Sequence, residues 1–312
     1  MTLSKYDERV STMATASTIP VKTRRVRIGW LLILPVAASW IFVPELSPFV
    51  TMCAISLSLF VLIKLHILTH YVASGKQVSR FDTLAWFFAW PGLDARAFFR
   101  RRVVEPPTKF EWLSAVVKTG CGGWMLFYVA PAMRATADLL SGWAALIGIV
   151  FLLHFGTFHL AALFWRSRGR DVKPIMNAPI LATSVTEFWS RRWNLAFRDY
   201  ASPFLFVPLV RQTNSAVAVL AGYTFSGMVH ELAISVPARA GYGLPTLYFA
   251  IQGTVMLIER AAEKRGVRLT AGIRGWIWTA IVTVPAAYLL FHPPFIRAIV
   301  LPVVDAVAGW LS

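Results

Sequence analysis

Long apolar runs alternate along the chain with shorter, charge-rich loops. Gly29–Val43, Phe49–Ile63, Ser114–Ala132, Trp143–Trp165, Ser215–Ser235, Leu244–Ile258, Trp276–Phe291 and Ile296–Trp310 are each long enough, or nearly so, to cross a bilayer as a helix. The pattern predicts an all-α polytopic membrane protein with about eight transmembrane helices. The last run is short, so seven or nine spans fit the pattern as well. No internal repeat or low-complexity segment interrupts it.

Composition agrees. The chain is 57% hydrophobic and 15% charged over 312 residues, more apolar surface than one soluble core can hide. Cys53 and Cys121 both fall inside apolar runs and offer neither a disulfide framework nor a CxxC metal site. Residues 1–27 are largely polar and end in "VKTRRVR". A signal peptide would carry its apolar core nearer the start. The segment therefore reads as a disordered, basic cytosolic tail, with 28–312 forming the membrane-embedded domain.

A net charge of +16 invites a nucleic-acid reading, but its distribution argues against one. Lysine and arginine crowd the N-terminal tail, Lys76–Lys109, Arg166–Arg211 and Arg260–Arg274. The intervening loops Pro44–Pro48, Met133–Ser141 and Pro237–Gly243 carry only Arg134 and Arg239. This is the positive-inside pattern, with a cytosolic N-terminus and an even number of spans. Attraction to anionic membrane lipid explains most of this charge, and a pocket for a phosphorylated cosubstrate would account for part of one loop.

Two basic loops are longer than topology requires. "RFDTLAWFFAWPGLDARAFFRRRVVEPP" mixes aromatic and charged residues, as suits an interfacial cytosolic segment at headgroup level, broken at Pro91 and Gly92. "SVTEFWSRRWNLAFRDYASPF" reads as one helix between Pro179 and Pro203. On it Glu187, Arg191, Asn194 and Arg198 share a face, while Trp189, Trp193 and Tyr200 gather opposite as interface anchors.

Within "GYTFSGMVHELAIS", His230 and Glu231 are adjacent ionisable residues in an otherwise apolar helix. Burying such groups in hydrocarbon costs a few kcal/mol, and they usually face a bundle interior or a wet cavity. Ser226 and Gly227 lie one turn earlier and leave a slim, polar surface on the histidine face. Neutral imidazole is well poised as a base near neutral pH. His66 and His70 form an HxxxH, but six histidines without an HH pair do not make the histidine boxes of a membrane di-iron enzyme. His154 and His159 stand about 140° apart on an α-helix and read as packing or lining residues. His292, beside two prolines, reads as a loop residue.

"EFWSRRWNLAFRDY" followed by "FSGMVHE" resembles the membrane-bound O-acyltransferase superfamily, in particular its wax synthase-like branch. "FAWPGLDARAFF" is similar to a further segment of that branch. The resemblance implies catalytic roles for His230 and Asn194. It implies an acyl-CoA cosubstrate, no resident cofactor or metal, and a lipophilic alcohol as acceptor. His230 would take the hydroxyl proton and Asn194 would polarise the thioester. Arg191, Arg192 and Arg198, with Lys173, would meet the cosubstrate's phosphates, and Trp193, Ser226 and Glu231 would complete the substrate contacts. The expected product is a wax ester. An acetyltransferase acting on a terpenoid or other secondary metabolite is the close alternative. A transporter relaying protons through His230 and Glu231 is the alternative from another class; such proteins usually show internal repeats.

Overall fold

The computed structural model describes residues 45–267 and 269–311. The tail 1–27 and the first apolar run, Gly29–Val43, lie outside them. Among the described residues six helices are long and apolar enough to cross a membrane. These are α1 (Pro48–Ala73), α4 (Lys109–Met133), α5 (Asp138–Ser167), α8 (Ser215–Ala238), α10 (Gly272–Leu290) and α11 (Pro293–Trp310). The protein is therefore all-α and multi-pass.

The run Leu244–Ile258 lies in α9 (Leu244–Lys264), a helix of 21 residues. It is long enough to span, but Gln252 and Glu259 on its buried face and the charges in its last turns lower its apolar character. α9 packs antiparallel to α8: Gly227 abuts Thr246 and Gly253 abuts Tyr223. A Cβ on Gly227 would fall 2.9 Å from the Thr246 Cα, so this crossing depends on glycine.

Two short helices follow α1: α2 (Arg80–Phe88), capped by Ser79, and α3 (Ala95–Phe99), capped by Asp94. Their aromatic residues divide between two faces. Phe81, Leu84 and Phe88 are exposed, at the spacing of one helical face. Trp86, Trp90 and Phe98 are instead buried in the protein. The headgroup-level expectation thus fits only the outward half of this segment. The inward half is held by two buried cations. Lys64 donates to the carbonyls of Trp86 and Trp90. Arg170 donates to the Phe98 carbonyl at 2.9 Å and pairs with Asp82. Aromatic bulk and cation-capped carbonyls thereby turn a loop into a wall.

Candidate active site

The long loop after α5 does not form one helix. A turn over Val185–Glu187 is followed by a π turn over Phe188–Arg192, closed by the Trp193 N–H on the Phe188 carbonyl at 2.8 Å. Trp193 is extended, and Asn194 adopts the left-handed conformation (φ 41°) that starts α6 (Leu195–Ala201), which α7 (Val207–Gln212) follows. Asparagine tolerates this backbone better than other non-glycine residues. Its Oδ1 caps α6 by accepting the Phe197 N–H at 3.3 Å. The segment 175–177 lies alongside: Asn177 N–H donates to Arg192 O and Leu195 N–H to Ile175 O, both at 2.8 Å. These bonds replace the helical ladder the periodicity predicted, so Glu187, Arg191, Asn194 and Arg198 do not share a face. The opposite aromatic face dissolves too. Tyr200 is buried, with its hydroxyl 3.1 Å from His66 Nδ1, and burial raises that phenol above its ordinary value. Trp189 donates to Gln252 Oε1 at 3.1 Å.

α9 carries the anchors of this loop. Glu259 is fully buried and accepts from the N–H groups of Val185 (2.7 Å) and Thr186 (2.9 Å), the Thr186 hydroxyl (2.7 Å) and Trp278 Nε1 (3.0 Å). Gln252 links Trp189 to the Val282 carbonyl of α10. Phe249 packs on Trp189 (5.6 Å between ring centroids) and on His230 (4.5 Å). The two sequence motifs thus meet through one face of α9. None of these three residues was singled out from the sequence. Gln252 and Glu259, seven residues apart in an apolar helix, were the available signal.

Asn194 and His230 line a single cavity of about 1770 Å³, larger than the few hundred to ~1,000 Å³ of ordinary ligand pockets. Trp193, Arg191, Arg198 and Ser226 line it as well. Its walls change character along their length. Lys76, Arg96, Arg191, Arg198 and Arg211 stand toward the basic loops, whereas Trp143, Ile147, Tyr223, Phe249 and Phe291 stand within the bundle. His230 Nδ1 is 2.7 Å from the carbonyl of Ser226. A carbonyl only accepts, so Nδ1 carries the proton and Nε2 keeps its lone pair. This is the tautomer a general base requires. The Oδ1 of Asn194 is committed to its cap, and its NH₂ group has no hydrogen-bond partner among the described residues.

Three expected substrate contacts find other or divided tasks. Arg192 spends its guanidinium on Glu187 (2.7 Å) and on the carbonyls of Asn177 and Ala178, and it does not line the cavity. Burial raises the Glu187 carboxyl, but the Thr183 amide and Arg192 outweigh this and hold it below its ordinary value. Glu231 also turns away from the cavity. Its Oε1 accepts from Gly243 N–H (3.0 Å), Thr246 N–H (3.1 Å) and the Thr246 hydroxyl (3.0 Å), capping the start of α9. Arg198 does line the cavity, while also pairing with Asp199 and donating to Ser190 O. Burial raises the Asp199 carboxyl against the pull of Arg198.

A second pocket of about 750 Å³ adjoins this mouth and shares Lys76, Arg96 and Arg198 with it. Arg100, Arg102 and Lys173 add further positive charge, offset in part by Asp94, Asp171 and Asp199, so that six basic residues stand with three acidic ones. Burial first, and then Arg96 and Arg100, depress the Lys76 ammonium below its ordinary value. Close like charges of this kind favour an anionic partner.

Residues 172–251, which hold the Asn194 loop, all of α8 with His230 and the start of α9, match the model of the "Membrane bound O-acyl transferase family". The Probable long-chain-alcohol O-fatty-acyltransferase 3 of Arabidopsis thaliana is 30% identical over 185 residues, 55% of this chain and 52% of that protein. The Long-chain-alcohol O-fatty-acyltransferase of Simmondsia chinensis is 30% identical over 169 residues, 48% of each. Acyl-CoA--sterol O-acyltransferase 1 of Arabidopsis thaliana is 28% identical over 126 residues, 38% of this chain and 36% of that protein. The chain thus spans about half the length, or less, of these relatives. Both motifs lie inside the matched segment, which resembles the membrane bound O-acyl transferase family, and the similar proteins just named are long-chain-alcohol O-fatty-acyltransferases and a sterol O-acyltransferase.

Proposed function

We propose that the protein transfers a fatty acyl group from acyl-CoA to the hydroxyl of a lipophilic, long-chain alcohol. The observation that carries this reading is the pairing of a base-competent His230 with an uncommitted Asn194 amide in one large, largely apolar cavity. The alcohol oxygen attacks the thioester carbonyl carbon while His230 Nε2 takes its proton. The Asn194 NH₂ donates to the oxyanion. The C–S bond then breaks, the proton passes from His230 to the departing thiolate, and an ester and free CoA result. Direct transfer of this kind requires no resident cofactor. Exclusion of water from the bundle protects the thioester from hydrolysis.

The charge distribution along the loops supports a cytosolic N-terminus and a cytosolic mouth. The basic pocket supports a phosphate-bearing donor, with Arg191, Arg198, Lys173 and Lys76 its first contacts. The cavity's volume favours a long chain over an acetyl group. The transporter alternative has less support, because Glu231 commits Oε1 to a helix cap and does not line the cavity that holds His230.

The test is purified protein in detergent supplied with a panel of acyl-CoAs and alcohols. Free thiol and ester should appear in equal amounts with long-chain partners. Absence of thiol release with every pair would overturn the proposal.

A further inference from the structure

His154 plays no part in the reaction above, yet it lines the same cavity. Around it the α5 wall is apolar: Trp143, Ile147, Val150, Phe151 and Phe155. His154 sits in a π turn, Phe151–Thr157. Five further π turns occur among the described residues, so this one is distinguished by its contacts and not by its type. Two contacts hold this one in place. The Thr157 hydroxyl donates to the Leu152 carbonyl at 2.8 Å. Gly156 packs so closely on α4 that a Cβ would fall 2.4 Å from Thr119 Oγ1. The i→i+5 bonding also brings residues five apart nearer one face. His154 and His159 consequently both line the cavity, rather than diverging as an α-helix would place them.

The imidazole is oriented. Its ring packs edge-on against Phe158, with centroids 5.3 Å apart. Its Nδ1 is buried and has no hydrogen-bond partner among the described residues. A buried N–H without an acceptor is rarer in proteins than an under-used acceptor. The neutral ring therefore keeps its lone pair on Nδ1 and its proton on Nε2. With Nδ1 sealed off, Nε2–H is the polar group the ring can offer to the cavity. His230 has the reverse arrangement, with Nδ1–H engaged and a lone pair on Nε2. One cavity thus holds an imidazole that accepts and an imidazole that donates. The adjacent Phe155 packs on Trp193, the residue before Asn194, at 6.4 Å between centroids. His154 and Asn194 thus line one cavity, on elements that meet through this contact.

We infer that His154 is a substrate-binding residue whose Nε2–H donates to a carbonyl oxygen of the acyl donor, either the thioester carbonyl or an amide carbonyl of its thiol arm. The inference rests on the acyl-transfer reading. A hydrocarbon chain offers this N–H nothing, and the acceptor alcohol's one oxygen is engaged at His230, which takes its proton. The donor is the substrate that brings carbonyl oxygens past this wall on its way from the basic mouth.

Steady-state kinetics on detergent-purified protein test the assignment, with palmitoyl-CoA and a long-chain alcohol varied in turn. His154→Phe keeps the ring and its contact with Phe158 but removes the donor. It is expected to raise KM for palmitoyl-CoA about tenfold, as fits one lost hydrogen bond, and to leave KM for the alcohol unchanged. His154→Gln restores a donor and should recover most of the loss, which a purely structural role would not predict. An unchanged palmitoyl-CoA KM in folded His154→Phe, or an effect confined to the alcohol KM, would overturn the inference while wild-type turnover left the acyl-transfer reading standing. A wild-type protein that releases no thiol with any pair would overturn both.

Discussion

His230 and Asn194 each carry one group already committed and one left over. His230 gives Nδ1–H to Ser226 and retains a lone pair. His230→Ala is therefore expected to lower turnover by ~10²–10⁴ with thermal unfolding in detergent little changed. A folded alanine variant with near-normal turnover would remove His230 from the mechanism. Asn194 gives Oδ1 to the α6 cap and retains its NH₂. Asn194→Asp separates the two tasks, because aspartate keeps the cap and tolerates the left-handed backbone but cannot donate. Turnover should fall roughly 10²-fold or more at a preserved melting temperature. Asn194→Ala should lose activity and, in addition, about 1 kcal/mol of cap stability. Wild-type rates in the aspartate variant would assign the side chain to capping alone.

Helix starts and helix crossings set the next level. Glu259 and Glu231 both bring carboxylate oxygens to backbone N–H groups at the beginning of a segment, where orphan donors and the helix dipole favour an anion. Glu231→Ala leaves the Gly243 and Thr246 N–H groups without this acceptor. The expected loss is about 1–3 kcal/mol of stability, read as a lower melting temperature, with the specific activity of the folded fraction retained. Loss of turnover at an unchanged melting temperature would instead place Glu231 in the chemistry. The glycines of α8 also divide. Gly222 lines the cavity and a Cβ there meets nothing within 4 Å, whereas Gly227 abuts Thr246. Gly222→Leu should shorten the preferred substrate chain. Gly227→Leu should destabilise the α8–α9 crossing, as overpacking typically does by about 1–3 kcal/mol. Chain-length profiles and melting curves of the two variants should therefore differ, and identical behaviour would refute the assignment of Gly222 to the lumen.

For the whole molecule, the decisive quantity is the shape of the cavity from its basic mouth to its aromatic interior. Each methylene buried contributes about 0.8 kcal/mol. Through 1770 Å³ of mostly apolar space, kcat/KM should rise with acyl length until the lumen is full. Palmitoyl-CoA is expected to exceed acetyl-CoA by at least tenfold on one panel of alcohols. A wide margin in favour of acetyl-CoA would remove the long-chain assignment and leave acyl transfer to hydroxyl groups intact.

Much of this molecule was legible in the amino-acid order. Lengths of apolar runs revealed an all-helical, multi-pass protein, because only helices satisfy their own backbone in lipid and a bilayer sets their length. The cost of burying His230 marked it as a candidate for function, and the two motifs carried the family resemblance. What one-dimensional periodicity could not reveal was where backbone hydrogen bonds leave the helical ladder. The π turns at Phe188–Arg192 and Phe151–Thr157 and the left-handed Asn194 depend on partners far along the chain, Ile175, Thr119 and Glu259 among them. Other contacts did the same elsewhere: Glu187 and the carbonyls of Asn177 and Ala178 took up Arg192, Gly243 and Thr246 made Glu231 a cap, and His66 met the buried Tyr200. Thr119, packed on Gly156, helped bring His154 into the same space, whereas the tautomer of His230 is set within its own helix by the Ser226 carbonyl. A side chain's chemistry is written in its residue type, but which of its atoms remains uncommitted follows only from what the tertiary structure packs against it.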